Sequence, residues 1–247
     1  MDFKNYFNAN RDLESQEQSV AQISNGVSFK GANLWILIFA ILIASLGLNI
    51  NSTAVIIGAM LISPLMGPII GMGLSIGTND IELLKRSAQN YLVATLISII
   101  TATIYFLLSP YQGTQSELLA RTTPTLYDVL IAFIGGGAGI LALCIRDKGN
   151  VLPGVAIATA LMPPLCTAGY GLAYGYWAFF AGAFFLYFIN TVFIALGTFI
   201  GIKLMKFRPK TFLDDKRSKV VRRTIIAIVV LTMIPAGIMT WRIMRQS

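Results

Sequence analysis

Residues 51–80 read NSTAVIIGAMLISPLMGPIIGMGLSIGTND, with no charged side chain before Asp80. The uncharged part, 52–77, is about 26 residues long and would reach roughly 39 Å as one helix, enough to cross a ~30 Å hydrocarbon layer with tilt. Its middle reads Ser63-Pro64-Leu65-Met66-Gly67-Pro68. Each proline removes a backbone donor and crowds the preceding turn, and glycine between them relaxes the chain. Two prolines four residues apart predict a broken helix rather than a bent one. Broken backbone at the depth of a bilayer centre is tolerated only inside protein or beside a water-filled cavity. This stretch therefore demands that something be built around residues 63–68.

A second stretch resembles it at an offset of one hundred residues. Val55, Ile57, Leu61, Pro64, Leu65 and Gly71 align with Val155, Ile157, Leu161, Pro164, Leu165 and Gly171 of VLPGVAIATALMPPLCTAGYGLAYG (151–175), and Asn90 and Leu96 align with Asn190 and Leu196. The aligned Pro-Leu, the glycine seven residues after the proline and the aligned asparagines point to an internal duplication.

Composition agrees with a membrane chain. The 247 residues are 55% hydrophobic and 12% charged, and mean hydropathy is +0.71, too apolar for an ordinary soluble domain. Apolar runs at 33–50, 52–77, 89–109, 125–144, 151–175, 177–204 and 224–241 predict about seven spans. The expected fold is an all-α polytopic membrane protein: a 3+3 inverted repeat with two proline-broken helices, plus one C-terminal helix. Its parts are a cytoplasmic arm (1–32), a first three-helix repeat (33–109), a second, inverted repeat (125–204), a basic loop (205–223) and a C-terminal helix with its tail (224–247). Part of the arm, around residues 11–21, reads as helix or as a disordered tail. Residues 79–87 read as a short amphipathic connector. Residues 1–30 are polar and carry no pattern of a cleavable leader.

With the N-terminus inside and every span crossing, sixteen of the nineteen lysines and arginines fall on the inner side. That bias is the expected one for a multi-pass protein of a cell membrane with its N-terminus in the cytoplasm. It also accounts for the net charge of +8 without nucleic acid. The two three-helix units then enter from opposite faces, a recurrent construction of secondary transporters.

The run IGAMLISPLMGPIIG (57–71), followed by LMPPL (161–165), resembles the bacterial and archaeal membrane family known as domain of unknown function 389. The likeness covers most of residues 33–205. It implies an integral membrane protein of prokaryotes and brings no settled activity. Some members carry an additional soluble N-terminal domain, where this chain has a short arm.

Missing residue types exclude several chemistries. There is no histidine, so a Ser/His pair or a zinc-protease motif cannot form. The two cysteines, Cys144 and Cys166, lie in apolar segments without metal spacing. No carboxylate pair sits within a span. An enzyme, a metal centre and a cofactor are therefore not expected. What remains is the pair of breaks. A half-helix starting at Pro68, and another starting at Cys166 or Thr167, would each present free N–H groups and a positive dipole end. The preceding halves would leave carbonyls free near residues 61–63 and 161–163. Such ends can hold an anionic group and a small cation. The candidate solute or ion site comprises Ser63, Pro64, Gly67, Pro68, Pro163, Pro164, Cys166, Thr167, Tyr170 and Asn190. Asn190 could brace a broken helix or line a path, and Tyr170 shares a face with Tyr174. The function expected is a transporter or channel-like facilitator. The alternative is a non-transporting scaffold or sensor that presents the arm and the basic loop to partners. Expected partners are the bilayer and a small solute or ion, with homo-oligomer formation left open.

The charge bias predicts Lys85, Arg146 and Arg208 on the inner face and Gln115 on the outer. Single cysteines at these positions, labelled from each side of sealed vesicles, check it. Labelling of positions 85 and 115 from the same side would remove the inverted arrangement.

Overall fold

The computed structural model describes residues 12–110, 113–146 and 160–210, and positions 223, 227, 229–235, 237 and 238. Among these residues every element is helical, apart from one isolated bridge between Leu13 and Ile145. The helices are α1 (Gln16–Gly26), α2 (Ala32–Asn49), α3 (Thr53–Ile62), α4 (Met66–Thr78), α5 (Ile81–Leu108), α6 (Ser116–Leu119), α7 (Leu126–Cys144), α8 (Met162–Ala173) and α9 (Trp177–Leu204). Four of them (α2, α5, α7, α9) are long and apolar enough to cross a membrane; α3 and α4, bent by 53° at their junction, make a fifth span if counted as one. Of the predicted fifth apolar run only α8 lies within the described residues. The predicted seventh is helical at its described positions.

Side-chain contacts fix the relative directions. Asn49, at the end of α2, donates to the Tyr105 hydroxyl (3.2 Å) and the Ser109 hydroxyl (2.7 Å) at the end of α5. Phe29, just before α2, donates its N–H to Asn90 Oδ1 near the start of α5 (3.3 Å). Thus α2 and α5 are parallel. Gly169 of α8 packs on Ala102, and the Tyr174 hydroxyl reaches the Phe106 carbonyl (2.9 Å), so α8 shares that direction. Gly73 and Gly77 of α4 pack on Thr198 and Ile202 of α9. Gly136 of α7 packs on Ile194, and Gly201 of α9 on Ile140. Hence α4, α7 and α9 share one direction, and it is opposite to that of α5, because Tyr91 meets Thr191 while Thr95, further along α5, meets the earlier Tyr187 of α9.

These contacts are made by residues without bulk. A Cβ on Gly136 would overlap the Ile194 carbonyl, and one on Gly197 the Phe133 carbonyl. Lipid is as apolar as leucine, so membrane helices gain by close backbone approach rather than by hiding apolar surface. That is the role of Gly136 in α7 and of Gly197 facing it in α9.

Two expectations change. The 79–87 connector is the opening of α5, a single helix of 28 residues capped by Asp80, whose carboxylate accepts the Leu83 N–H at 3.1 Å. The described part of the arm carries a packed helix, Gln16–Gly26. Ser15 and Gln18 form a capping box for α1, and Ile23, Val27 and Phe29 are buried against the bundle. Arg146 N–H donates to the Asp12 carbonyl (3.0 Å), Gln16 Nε2 to the Arg208 carbonyl (2.8 Å), and Arg86 to the Ser24 carbonyl (3.1 Å). The arm thus ties three segments together at the basic end of the bundle.

Asp80 also meets Lys210 at 2.9 Å. Partial burial by itself would push the Asp80 carboxyl up; the Lys210 ammonium and the Leu83 N–H outweigh it and leave the group below the ordinary aspartate value. The pairing raises Lys210 in turn. A carboxylate held low stabilises the fold above the ordinary value, and loses that contribution as pH falls through its lowered folded value. Asp80→Ala should therefore cost about 1 kcal/mol at neutral pH, as a lost N-cap does. The gap to wild type in thermal size-exclusion profiles should begin to narrow only below about pH 3.9 and should close below the lowered folded value.

Candidate functional site

The break between α3 and α4 lies at Ser63-Pro64-Leu65. Pro64 has no N–H for the Met60 carbonyl. The preceding Ser63 N–H takes that carbonyl instead, at 3.3 Å. The same exchange recurs four residues on: Pro68 cannot serve the Pro64 carbonyl, and Gly67 N–H does so at 3.4 Å. Leu65 N–H turns to the Ser63 hydroxyl oxygen (3.4 Å), which withdraws its helical donor from the Leu61 carbonyl. The half-helix therefore begins at Met66, not at Pro68. Pro68 sits third in α4, where an N–H would be unpaired in any helix.

Of the second predicted break, residues 151–159 lie outside the described residues, and its downstream side begins at Ala160. Here α8 begins at Met162, with Leu161 as its cap, one turn earlier than the predicted Cys166 or Thr167. Pro163 and Pro164 occupy its first turn, and both are buried. Pro164 leaves the Ala160 carbonyl without its helical donor, as Pro64 does to Met60. The local solution used at Ser63 is closed, because position 163 is itself proline. Asn190 Nδ2 from α9 supplies the donor at 3.3 Å. The strained turn shows in Ala160, a non-glycine residue at φ 36°. Asn190 is thus a brace on the broken chain. Its counterpart Asn90 has another task, donating to the Arg86 carbonyl (2.9 Å) and accepting from Phe29 N–H.

The two breaks meet. Met60, Ser63, Leu65, Met66, Leu161 and Met162 line a half-open hollow of about 10 Å³, room for about one water molecule. Of the ten predicted site residues, only Ser63 lines it. Pro64, Pro163 and Pro164 shape its walls through the backbone. Cys166 and Thr167 lie further along α8, fully buried. The Cys166 thiol points at the Ile41 carbonyl (3.8 Å), and the Thr167 hydroxyl has no hydrogen-bond partner among the described residues. Tyr170 is 1% exposed, inside an aromatic cluster with Phe106 (5.1 Å) and Tyr174 (4.7 Å) at the end of the bundle away from the lysines.

Gly67 does not loosen the break, as the sequence suggested. It is helical, and a Cβ there would overlap the Gly26 carbonyl at the end of α1. Its lack of a side chain lets the arm close on the first turn of α4. The three methionines around Ser63 were also missed: methionine in an apolar run carries no signal of its own.

The arrangement is that of a multi-pass helical membrane protein with a helix break in its interior and the proline-bearing start of α8 beside it. The family model described as "Domain of unknown function (DUF389)" matches residues 60–196, more than half of the chain. The chain belongs to that family. An uncharacterized protein of Methanocaldococcus jannaschii is 30% identical over 168 residues, 68% of this chain and 52% of the relative. The chain thus spans about half the length of that relative. No solved structure matches it.

If Asn190 satisfies the Ala160 carbonyl, Asn190→Ala should destabilise the protein by about 1 kcal/mol, the scale of an interhelical hydrogen bond in a membrane. Pro163→Ser, which restores an N–H where the first break has one, should recover most of that loss in the double variant. Thermal unfolding of the purified variants checks both; a double variant no more stable than Asn190→Ala would refute the brace.

Proposed function

We propose that the chain passes a small solute through the junction of the two helix breaks, as a carrier or channel-like facilitator. In this reading the two three-helix units are inverted copies, all seven segments cross, the N-terminus lies in the cytoplasm of a prokaryotic cell, and the bilayer and the solute are the partners. The alternation of helix directions supports the arrangement. The observation that carries the function is the shared hollow between residues 60–66 and 161–162. A chain that only needed kinks would have no reason to bring both breaks to one place.

The chemistry of the junction narrows the solute. Proline occupies positions 64, 68, 163 and 164, so each half-helix start has lost donors, and Gly67 N–H is spent on Pro64. The anion-binding end expected of a helix start is weakened accordingly. Carbonyls of the α3 terminus, the Ser63 oxygen and three methionine thioethers remain, nearly all acceptors. Such a wall suits a small cation, or a neutral solute rich in N–H or O–H donors. With neither histidine in the chain nor a carboxylate in the span interiors, coupling to a titrating side chain is not expected.

The scaffold reading draws on the narrow junction and on the docked arm, and one experiment separates the two. Proteoliposomes are challenged with gradients of potassium, methylammonium, urea, chloride and acetate. At least one of the first three should move faster than in protein-free vesicles, chloride and acetate should not, and the rate should be flat between about pH 6 and 8. The double variant Pro64→Ala, Pro164→Ala should still insert but lose flux by about tenfold or more, equivalent to about 1.4 kcal/mol. Background flux for every probe, or full flux in the double variant, would leave the scaffold reading standing.

A further inference from the structure

A second, larger cavity lies away from the breaks. It is a groove of about 230 Å³ between α4, α5 and α9, lined by side chains that include Met72, Leu84, Val192, Leu196 and Phe199. Val229, from the helical positions beyond 223, forms part of its wall, so the groove is a slot rather than an open stretch of bundle surface. Its polar lining groups satisfy one another: the Tyr91 hydroxyl donates to the Thr191 hydroxyl oxygen at 3.2 Å, and Thr191 donates to the Tyr187 carbonyl at 2.9 Å. The groove offers an occupant no hydrogen bond from these groups, only apolar contact.

Length and charge identify what fits. Along α9 the groove runs from Phe188 to Phe199, roughly 16 Å at helical rise, about half of a ~30 Å hydrocarbon core. That is the depth of one leaflet. Its Phe199 end lies toward the basic end of the bundle. Lys203 follows Phe199 by one turn on the same face, with its ammonium 5.8 Å from the centre of the Phe199 ring, and it makes no ion pair among the described residues. Lys85, next to the lining residue Leu84, is exposed as well. The acidic groups nearby, Asp80 and Glu82, face Lys210 at 2.9 and 3.9 Å.

We propose that this groove holds one acyl chain of an anionic phospholipid, with the phosphate seated on Lys203. Hydrocarbon fills the slot and leaves no polar group unpaired, and the cation at the Phe199 end selects the headgroup. The site is separate from the break junction and stands whether or not the chain transports anything.

Native mass spectrometry of the full chain, stripped of lipid in detergent, tests it by titration with phosphatidylglycerol and with phosphatidylcholine of identical chains. A single saturating phosphatidylglycerol adduct is expected, favoured about five-fold over phosphatidylcholine, as one lysine near a phosphate provides. Lys203→Gln should abolish the preference and Lys203→Arg should keep it. Leu196→Trp should fill the slot and remove the adduct with the charge intact; Val192→Phe replaces it if that variant does not elute as a single species. Equal binding of the two lipids, an unchanged preference in Lys203→Gln, or an undiminished adduct in the filled-groove variant would each overturn the proposal.

Discussion

A carbonyl inside a bilayer must find a donor, and this fold is arranged around carbonyls that proline has orphaned. Water cannot reach the centre of the hydrocarbon layer to serve them. Pro64 and Pro164 deprive Met60 and Ala160, residues one hundred positions apart. The first is rescued locally by Ser63; the second needs a side chain from another helix, Asn190. One constraint thus accounts for a 53° bend, a residue at positive φ and a buried asparagine. It also explains why the second break is anchored to α9 while the first is anchored only to itself and to the arm.

What surrounds the breaks is packing by subtraction. Gly73 and Gly77 against α9, Gly169 against α5, and Gly136 of α7 against α9 bring backbones together where any side chain would hold them apart. The tightest pair of helices, α7 and α9, gives Asn190 a rigid base. The start of α8 is held from one side by this base, and from the other by α2, where the Ile41 carbonyl meets Cys166.

The break at residues 63–65 was legible in the sequence, because proline acts within one turn of itself. The register of the helix starts was not. Proline is tolerated throughout the first helical turn, so Pro68 and Pro163-Pro164 marked the neighbourhood of a helix start without saying which residue opens it. The role of Asn190 could be framed but not decided, since its partner lies thirty residues away. Gly67 was misread for the same kind of reason. A glycine between two prolines looks like slack, and only the position of Gly26 reveals a contact. The arm itself was ambiguous because α1 is polar on most of its surface and buries little more than Ser19, Ile23 and the residues just after it.

That contact between Gly26 and Gly67 makes the arm a mechanical part of the break. The last carbonyl of α1 rests on the second residue of α4 with no side chain to cushion it, and Val27 fills the hollow over Gly71. A rigid body cannot rotate beneath a lever and leave the lever still. A tilt of α4 would therefore press on the arm, whose far end, where Gln16 bonds to Arg208, lies about 15 Å away along α1.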